Sequence, residues 1–74
     1  MRKVVADAVR INRATGEVVA QPQSLAAAKC QVQTVIHDDG TIDEPICVSV
    51  SCDGNCNMQQ EQHGSVTHYN CTCD

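Results

Sequence analysis

The sequence predicts a small β-rich domain of short antiparallel hairpins, crosslinked through cysteine, with an N-terminal arm. Three observations predict it. The large apolar residues are mostly β-branched: ten Val and four Ile stand against a single Leu, Leu25. Such side chains suit strands better than helices. Tyr69 is the only aromatic residue in 74, whereas aromatic side chains usually dominate small cores. Six cysteines take their place, five of them in the last third, spaced C-x4-C-x3-C-x14-C-x-C from Cys47 to Cys73. A chain this short buries a modest share of its surface and leans on disulfides, a metal or association.

Residues 1–23 read as an N-terminal arm or hairpin, and residues 24–74 as a cysteine-rich β domain. In the first unit Val5, Val9 and Ile11 fall on one strand face, although Val4, Ala8 and Ile11 also fit a helical stripe. Asn12-Arg13-Ala14-Thr15-Gly16 is a turn signal, and Glu17 to Ala20 is a returning strand, so a hairpin is expected. Pro22 ends it. Ser24 suits the cap of one helical turn through Leu25 to Ala28, and the same stretch suits a linker.

In the second unit Gln31 to Ile36 partly alternates, with Val32 and Ile36 on one face. Asp38-Asp39-Gly40 marks a turn, Thr41 to Asp43 returns, and Pro45 punctuates. Ile46 to Cys52 alternates most clearly. Ile46, Val48, Val50 and Cys52 share one face and Cys47, Ser49 and Ser51 the other. Cys52 is therefore expected on the core side and Cys47 on the more polar side. Asp53-Gly54-Asn55 is a turn, and the polar run Asn57 to Gly64 is expected as an exposed loop. Ser65 to Cys73 is the last strand, with Tyr69, Cys71 and Cys73 on one face and Val66, His68, Asn70 and Thr72 on the other. Tyr69 is expected to be buried against a disulfide or the Ile46–Val48–Val50 face. No internal repeat is visible.

Charge is divided along the chain. Arg2, Lys3, Arg10, Arg13 and Lys29 all precede Cys30, with only Asp7 and Glu17 opposing them, so 5 − 2 gives +3. From Cys30 onward there is no Lys or Arg, and Asp38, Asp39, Asp43, Glu44, Asp53, Glu61 and Asp74 give −7; the sum is −4. A nucleic-acid binder needs a basic, aromatic-bearing face, so that class is excluded. The division suits two solvated faces, the basic arm folded over the acidic part, or contact between copies. In the last case Arg2, Lys3, Arg10 and Arg13 meet Asp38, Asp39, Asp43 and Glu44 of another chain. Residues 1–20 would then pack mainly against that chain. Opposite patches on one subunit build rings or filaments.

Met1-Arg2-Lys3 opens like a signal peptide, but Asp7, Arg10 and Arg13 interrupt any apolar region behind it. No apolar run reaches the roughly 18 residues of a membrane span. Synthesis in the cytoplasm without a signal peptide is the expectation. Six cysteines in a reducing compartment usually mean thiols or metal ligands, which conflicts with crosslinking. An assembled particle or filament that ends outside the cell resolves the conflict.

Zinc needs four ligands in two short-spaced pairs, and Cys52/Cys56 with Cys71/Cys73 offer them, with His63 or His68 as substitutes. Four thiolates on a divalent ion leave about −2 of charge, and residues 30–74 hold no cation to offset it. Disulfides are neutral. Cys30, Cys47, Cys52, Cys56, Cys71 and Cys73 allow fifteen connectivities, and at least two bonds are expected, with Cys30 joining the first half to the tail. The spacing with Tyr69-x-Cys71-x-Cys73 resembles the middle of an epidermal-growth-factor-like module. Those modules place a sixth cysteine after the C-x-C pair. Here the sixth, Cys30, lies on the other side, and the resemblance implies nothing further.

Asn70-Cys71-Thr72 matches a glycosylation acceptor, which matters only in a secretory pathway. Asp38, Asp39, Asp43 and Glu44 do not match a regular calcium loop and read as an acidic hairpin tip. His37, His63 and His68 are the candidate bases, but His68 and Cys71 fall on opposite strand faces, and no basic residue lies close in sequence to lower a thiol pKa. The reading is therefore a non-enzymatic structural or assembly subunit, without a cofactor, packing with other protein chains in a virion, filament or enzyme complex. A zinc-binding intracellular adaptor using Cys52, Cys56, Cys71 and Cys73 is the alternative. A precursor peptide is the further alternative, with residues 1–45 as leader and a modified Cys/Ser/Thr-rich core at 46–74.

Overall fold

The computed structural model describes residues 1–21 and 29–74. The cap at Ser24, the turn through Ala28 and the boundary between residues 23 and 24 lie outside the described residues. The first apolar run breaks at Asp7 into β1 (Arg2–Ala6) and β2 (Ala8–Asn12). Then follow β3 (Val18–Gln21), β4 (Cys30–Ile36), β5 (Ile46–Ser49), β6 (Cys56–His63) and β7 (Val66–Cys73). These strands form two sheets, ordered β1-β4-β5 and β3-β2-β7-β6, and every pairing is antiparallel. The fold is the small antiparallel, cysteine-crosslinked β domain that the composition predicts.

Turn chemistry sets the hairpins. Between β2 and β3 the Asn12 side chain accepts from the amides of Ala14 and Thr15 at 2.9 and 3.2 Å, and the Gly16 amide donates to the Asn12 carbonyl at 2.7 Å. Gly16 takes the positive φ, 76°, that closes this loop. Between β6 and β7 only Gly64 and Ser65 turn the chain, with Gly64 at φ 62°. A glycine first in a two-residue loop matches the type II′ hairpin, whose twist suits its strands.

That tight turn explains one departure. The polar run expected as an exposed loop is the eight-residue β6, paired with β7 from Cys56↔Cys73 to His63↔Val66. Low strand propensity is overridden because the turn fixes the register and β7 supplies the backbone partners. Gln59 to His63 remain exposed within the strand.

The N-terminal segment is strand, and it reaches the centre of the molecule. β1 pairs with β4, while β2 lies between β3 and β7. Ala6, Val9 and Ile11 join Val32 and Tyr69 as the buried core, flanked by Val4, Val18, Ile42, Met58 and Cys71. The expectation that residues 1–20 pack mainly against another chain is thereby corrected. Their apolar side is covered by this chain's own strands.

β5 carries a second correction. Its pairings with β4 include Val32↔Cys47 and Gln33↔Ile46. Directly opposite residues point to the same face. Val32 is fully buried, so Cys47 faces inward, while Ile46 is 53% exposed. The apolar alternation Ile46–Val48–Val50 thus marks the outer face. The ladder also stops at Ser49, after which the amides of Val50 and Ser51 both donate to the Lys29 carbonyl at 2.8 and 3.1 Å.

Candidate functional site

All six cysteines are bonded, as Cys30–Cys56, Cys47–Cys71 and Cys52–Cys73. In chain order these join first to fourth, second to fifth and third to sixth, so every loop overlaps the other two. Two bonds cross between the sheets, β4 to β6 and β5 to β7, and the third ties the segment after β5 to β7. The Cα separations, 6.0, 5.8 and 5.8 Å, fall at the usual value for a bridge. Closing loops of 26, 24 and 21 residues removes unfolded-state freedom worth about 3 kcal/mol each in the chain-entropy account.

The sulfurs are not spread evenly. Those of Cys30, Cys52 and Cys73 all lie within 4.8 Å of one another. Cys56 is not one of these three, but it is bonded to Cys30 and is the ladder partner of Cys73. Cys71 stands apart, bonded to Cys47 and paired in the ladder with Met58. The zinc set read from spacing joined Cys71 to Cys52, Cys56 and Cys73, whereas the fold brings Cys30 into reach of Cys52 and Cys73. Spacing carries no signal for Cys30, because a strand pairing rather than a short loop delivers it.

Tyr69 is 1% exposed, packed in the core beside Cys71 and away from the Ile46–Val48–Val50 face. The Arg13 guanidinium donates to its hydroxyl and stands 5.8 Å from the ring centroid. The hairpin turn positions Arg13 for this, and the Arg13 amide donates to the Ser65 carbonyl at 2.7 Å. No sequence pattern links Arg13 to Tyr69.

The eight charged residues proposed for assembly meet partly within the chain. Arg13 also reaches Glu44 at 3.3 Å, and the Met1 amino group contacts Asp38. Asp43 contacts His37 at 2.9 Å. Arg2, Lys3 and Arg10 are exposed and form no ion pair among the described residues. Asp39 accepts from the Thr41 hydroxyl at 2.6 Å and its amide at 3.0 Å. Those bonds, the hydroxyl first, hold its carboxyl below 3.8. The N-terminal segment is therefore drawn over the acidic hairpin at two points, although exposed pairs of this kind contribute little stability.

His37, His63 and His68 do not converge. His37 pairs with Asp43, and His63 with Glu61 at 3.0 Å. His68 sits on the outer face of its sheet between Arg10 and Glu61. With every sulfur bonded, this state offers no thiolate nucleophile. No helix among the described residues is long and apolar enough to cross a membrane. Comparison with protein-family models, curated proteins and solved structures finds no match.

Proposed function

We propose that the chain is a non-enzymatic structural or assembly subunit: a disulfide-locked β module that packs against protein chains in a larger complex, such as a virion, filament or enzyme complex. The observation that supports this is the outer face of the three-stranded sheet. Val5 lies across Gln33 from Ile46, and Val35 and Val48 share that face beside Lys3 and Gln31. Val5 is 42% and Ile46 53% exposed. β-branched side chains gathered outward on a rigid sheet make a contact surface, because burying them on association removes apolar area from water. A second copy offers the same face, and sheets pack face to face at about 10 Å. In this reading the chain is made in the cytoplasm and meets oxidising surroundings as part of the assembled particle.

Sedimentation of the oxidised chain from micromolar to millimolar concentration tests it. Mass should rise above 8.0 kDa with concentration, and Ile46→Lys should abolish the rise. An 8.0 kDa monomer throughout, with Ile46→Lys unchanged, removes self-assembly through this face.

The precursor division at residues 45 and 46 cuts the β4–β5 and β2–β7 pairings and the Cys30–Cys56 bond. The fold lends that division no support.

A further inference from the structure

The second and independent chemistry of this fold lies in the cluster of sulfurs at one end of the sheets. We infer that Cys30, Cys52, Cys56 and Cys73, once reduced, form a tetrathiolate site for a zinc-class divalent cation, leaving Cys47 and Cys71 outside it.

The geometry rests on three facts. The sulfurs of Cys30, Cys52 and Cys73 already lie within 4.8 Å of one another. A tetrahedral zinc with bonds of about 2.3 Å places its thiolates about 3.8 Å apart, so these three need to move little. Cys56 is the natural fourth ligand: the β6–β7 register sets its Cα directly across from Cys73, and its Cα is 6.0 Å from that of Cys30. Breaking a sulfur–sulfur bond frees each sulfur to turn about its own Cα–Cβ bond while the backbone stays paired.

Strand pairing positions three of the four cysteines, and a turn positions the fourth. Cys30 is on β4, tied to β1 and β5, and Cys56 and Cys73 close the end of the β6–β7 ladder. Cys52 and Cys56 flank the turn Asp53-Gly54-Asn55. That turn lies against the last residue, whose amide donates to the Asn55 carbonyl at 2.9 Å. A Cβ at Gly54 would meet the Asp74 carbonyl oxygen at 2.5 Å. The turn therefore sits directly on the strand end that carries Cys73, and a glycine permits the approach.

The chemistry also selects these four. Four thiolates at tetrahedral spacing suit zinc or cobalt rather than hard cations such as calcium. The cation would replace two crosslinks with one, joining β4, the segment after β5, β6 and β7. Metal binding would then be folding free energy for the reduced chain.

The step balances. Each of the two disulfides accepts two electrons from a thiol or phosphine reductant, and two protons from the thiols in the first case and from water in the second. The thiol is oxidised to its own disulfide, or the phosphine to its oxide with oxygen from water. The four thiols formed release four protons as the cation binds four thiolates.

The test uses the whole chain, reduced with a phosphine and titrated with cobalt(II), then with zinc(II). The expected result is one ion per chain, with the absorption of a tetrahedral tetrathiolate. Alkylation of the zinc-loaded wild-type chain should label Cys47 and Cys71 and spare the other four, a readout that needs no variant. Cys47→Ser with Cys71→Ser should keep the stoichiometry and spectrum. Cys30→Ser should weaken cobalt binding by about 100-fold or more, since a structural site needs its fourth ligand. An absence of binding to the reduced wild type overturns the inference. So does protection of Cys71 with labelling of Cys30. Neither result bears on assembly of the oxidised chain.

Discussion

Cys56 and Cys73 face each other across the β6–β7 ladder, and neither is bonded to the other. Cys56 reaches Cys30 on the opposite sheet, and Cys73 reaches Cys52 on the segment that follows β5. A bond between the two ladder partners would have reinforced a hairpin already held by its backbone. Bonded as they are, the same sulfurs tie the β6–β7 hairpin to β4 and to the segment after β5.

The first prediction concerns those bonds. Intact mass of the native chain should rise by about 6 Da on full reduction, two hydrogens for each two-electron bond. Replacing Cys47 and Cys71 together by Ala should cost about 3 kcal/mol, measured by denaturant unfolding under oxidising conditions.

Tyr69→Ala should be the most damaging single truncation, at about 3–5 kcal/mol, because it empties the largest core position. Val66→Ala, on the outer face, should cost less than about 1 kcal/mol. Tyr69→Phe isolates the hydroxyl bonded to Arg13 and should cost about 1 kcal/mol. Equal, small shifts in melting for Tyr69→Ala and Val66→Ala would place Tyr69 outside the core.

Deleting residues 1–12 should unfold the chain rather than release a soluble, folded remainder. The deletion removes β1 and β2, and with them Ala6, Val9 and Ile11 of the buried core. Circular dichroism without reductant should show loss of the native β signal. A truncated chain that keeps the full-length spectrum and melting point would contradict the placement of these strands.

Gly54→Ala should destabilise by about 1–3 kcal/mol, the usual cost of overpacking. The added Cβ falls 2.5 Å from the backbone oxygen of Asp74, so the turn or the strand end must shift. Gly40→Ala meets no atom within 4 Å, but its φ of 91° imposes strain of another kind. Thermal melting of both variants separates contact from conformation if the chain's last residue is then removed, since that should rescue Gly54→Ala alone.

Acid titration should find Asp39 below 3.8, and Thr41→Val should return it towards that value by removing the hydroxyl donor, the largest cause. The sign follows from the depressed folded-state pKa. The stabilisation of the 37–41 turn is complete above the unfolded-state value of 3.8 and is lost as pH falls through the lower folded value. Carboxylate chemical shifts across that window, in wild type and variant, measure both.

Much of the fold was legible because local rules govern it. Asn12 to Gly16 and Asp38 to Gly40 turned as their composition indicated, and the last strand buried Tyr69 on the side shared with Cys71. Three readings failed for one reason. Whether Asn57 to His63 is loop or strand, which way Ile46 points, and what covers Val9 are settled by the strands and side chains they meet rather than by their own alternation. These are β7, Val32 and Tyr69 with its neighbours.

By itself the sequence determined that this chain is a small β domain relying on sulfur, since β-branched side chains and the near absence of aromatic ones leave few other ways to hold it together. It also determined the turns at Asn12 to Gly16 and Asp38 to Gly40, which depend on residues within a few positions. Only the tertiary structure decided which cysteine meets which, that residues 1–12 belong to the core, and that Ile46 faces outward. Cysteine pairing depends on Cα separations near 6 Å between residues 21 to 26 apart in sequence, and strand alternation gives a side chain's face without saying which face is covered. Both are fixed by the packing of the two sheets, because burial exists only once the second surface is in place.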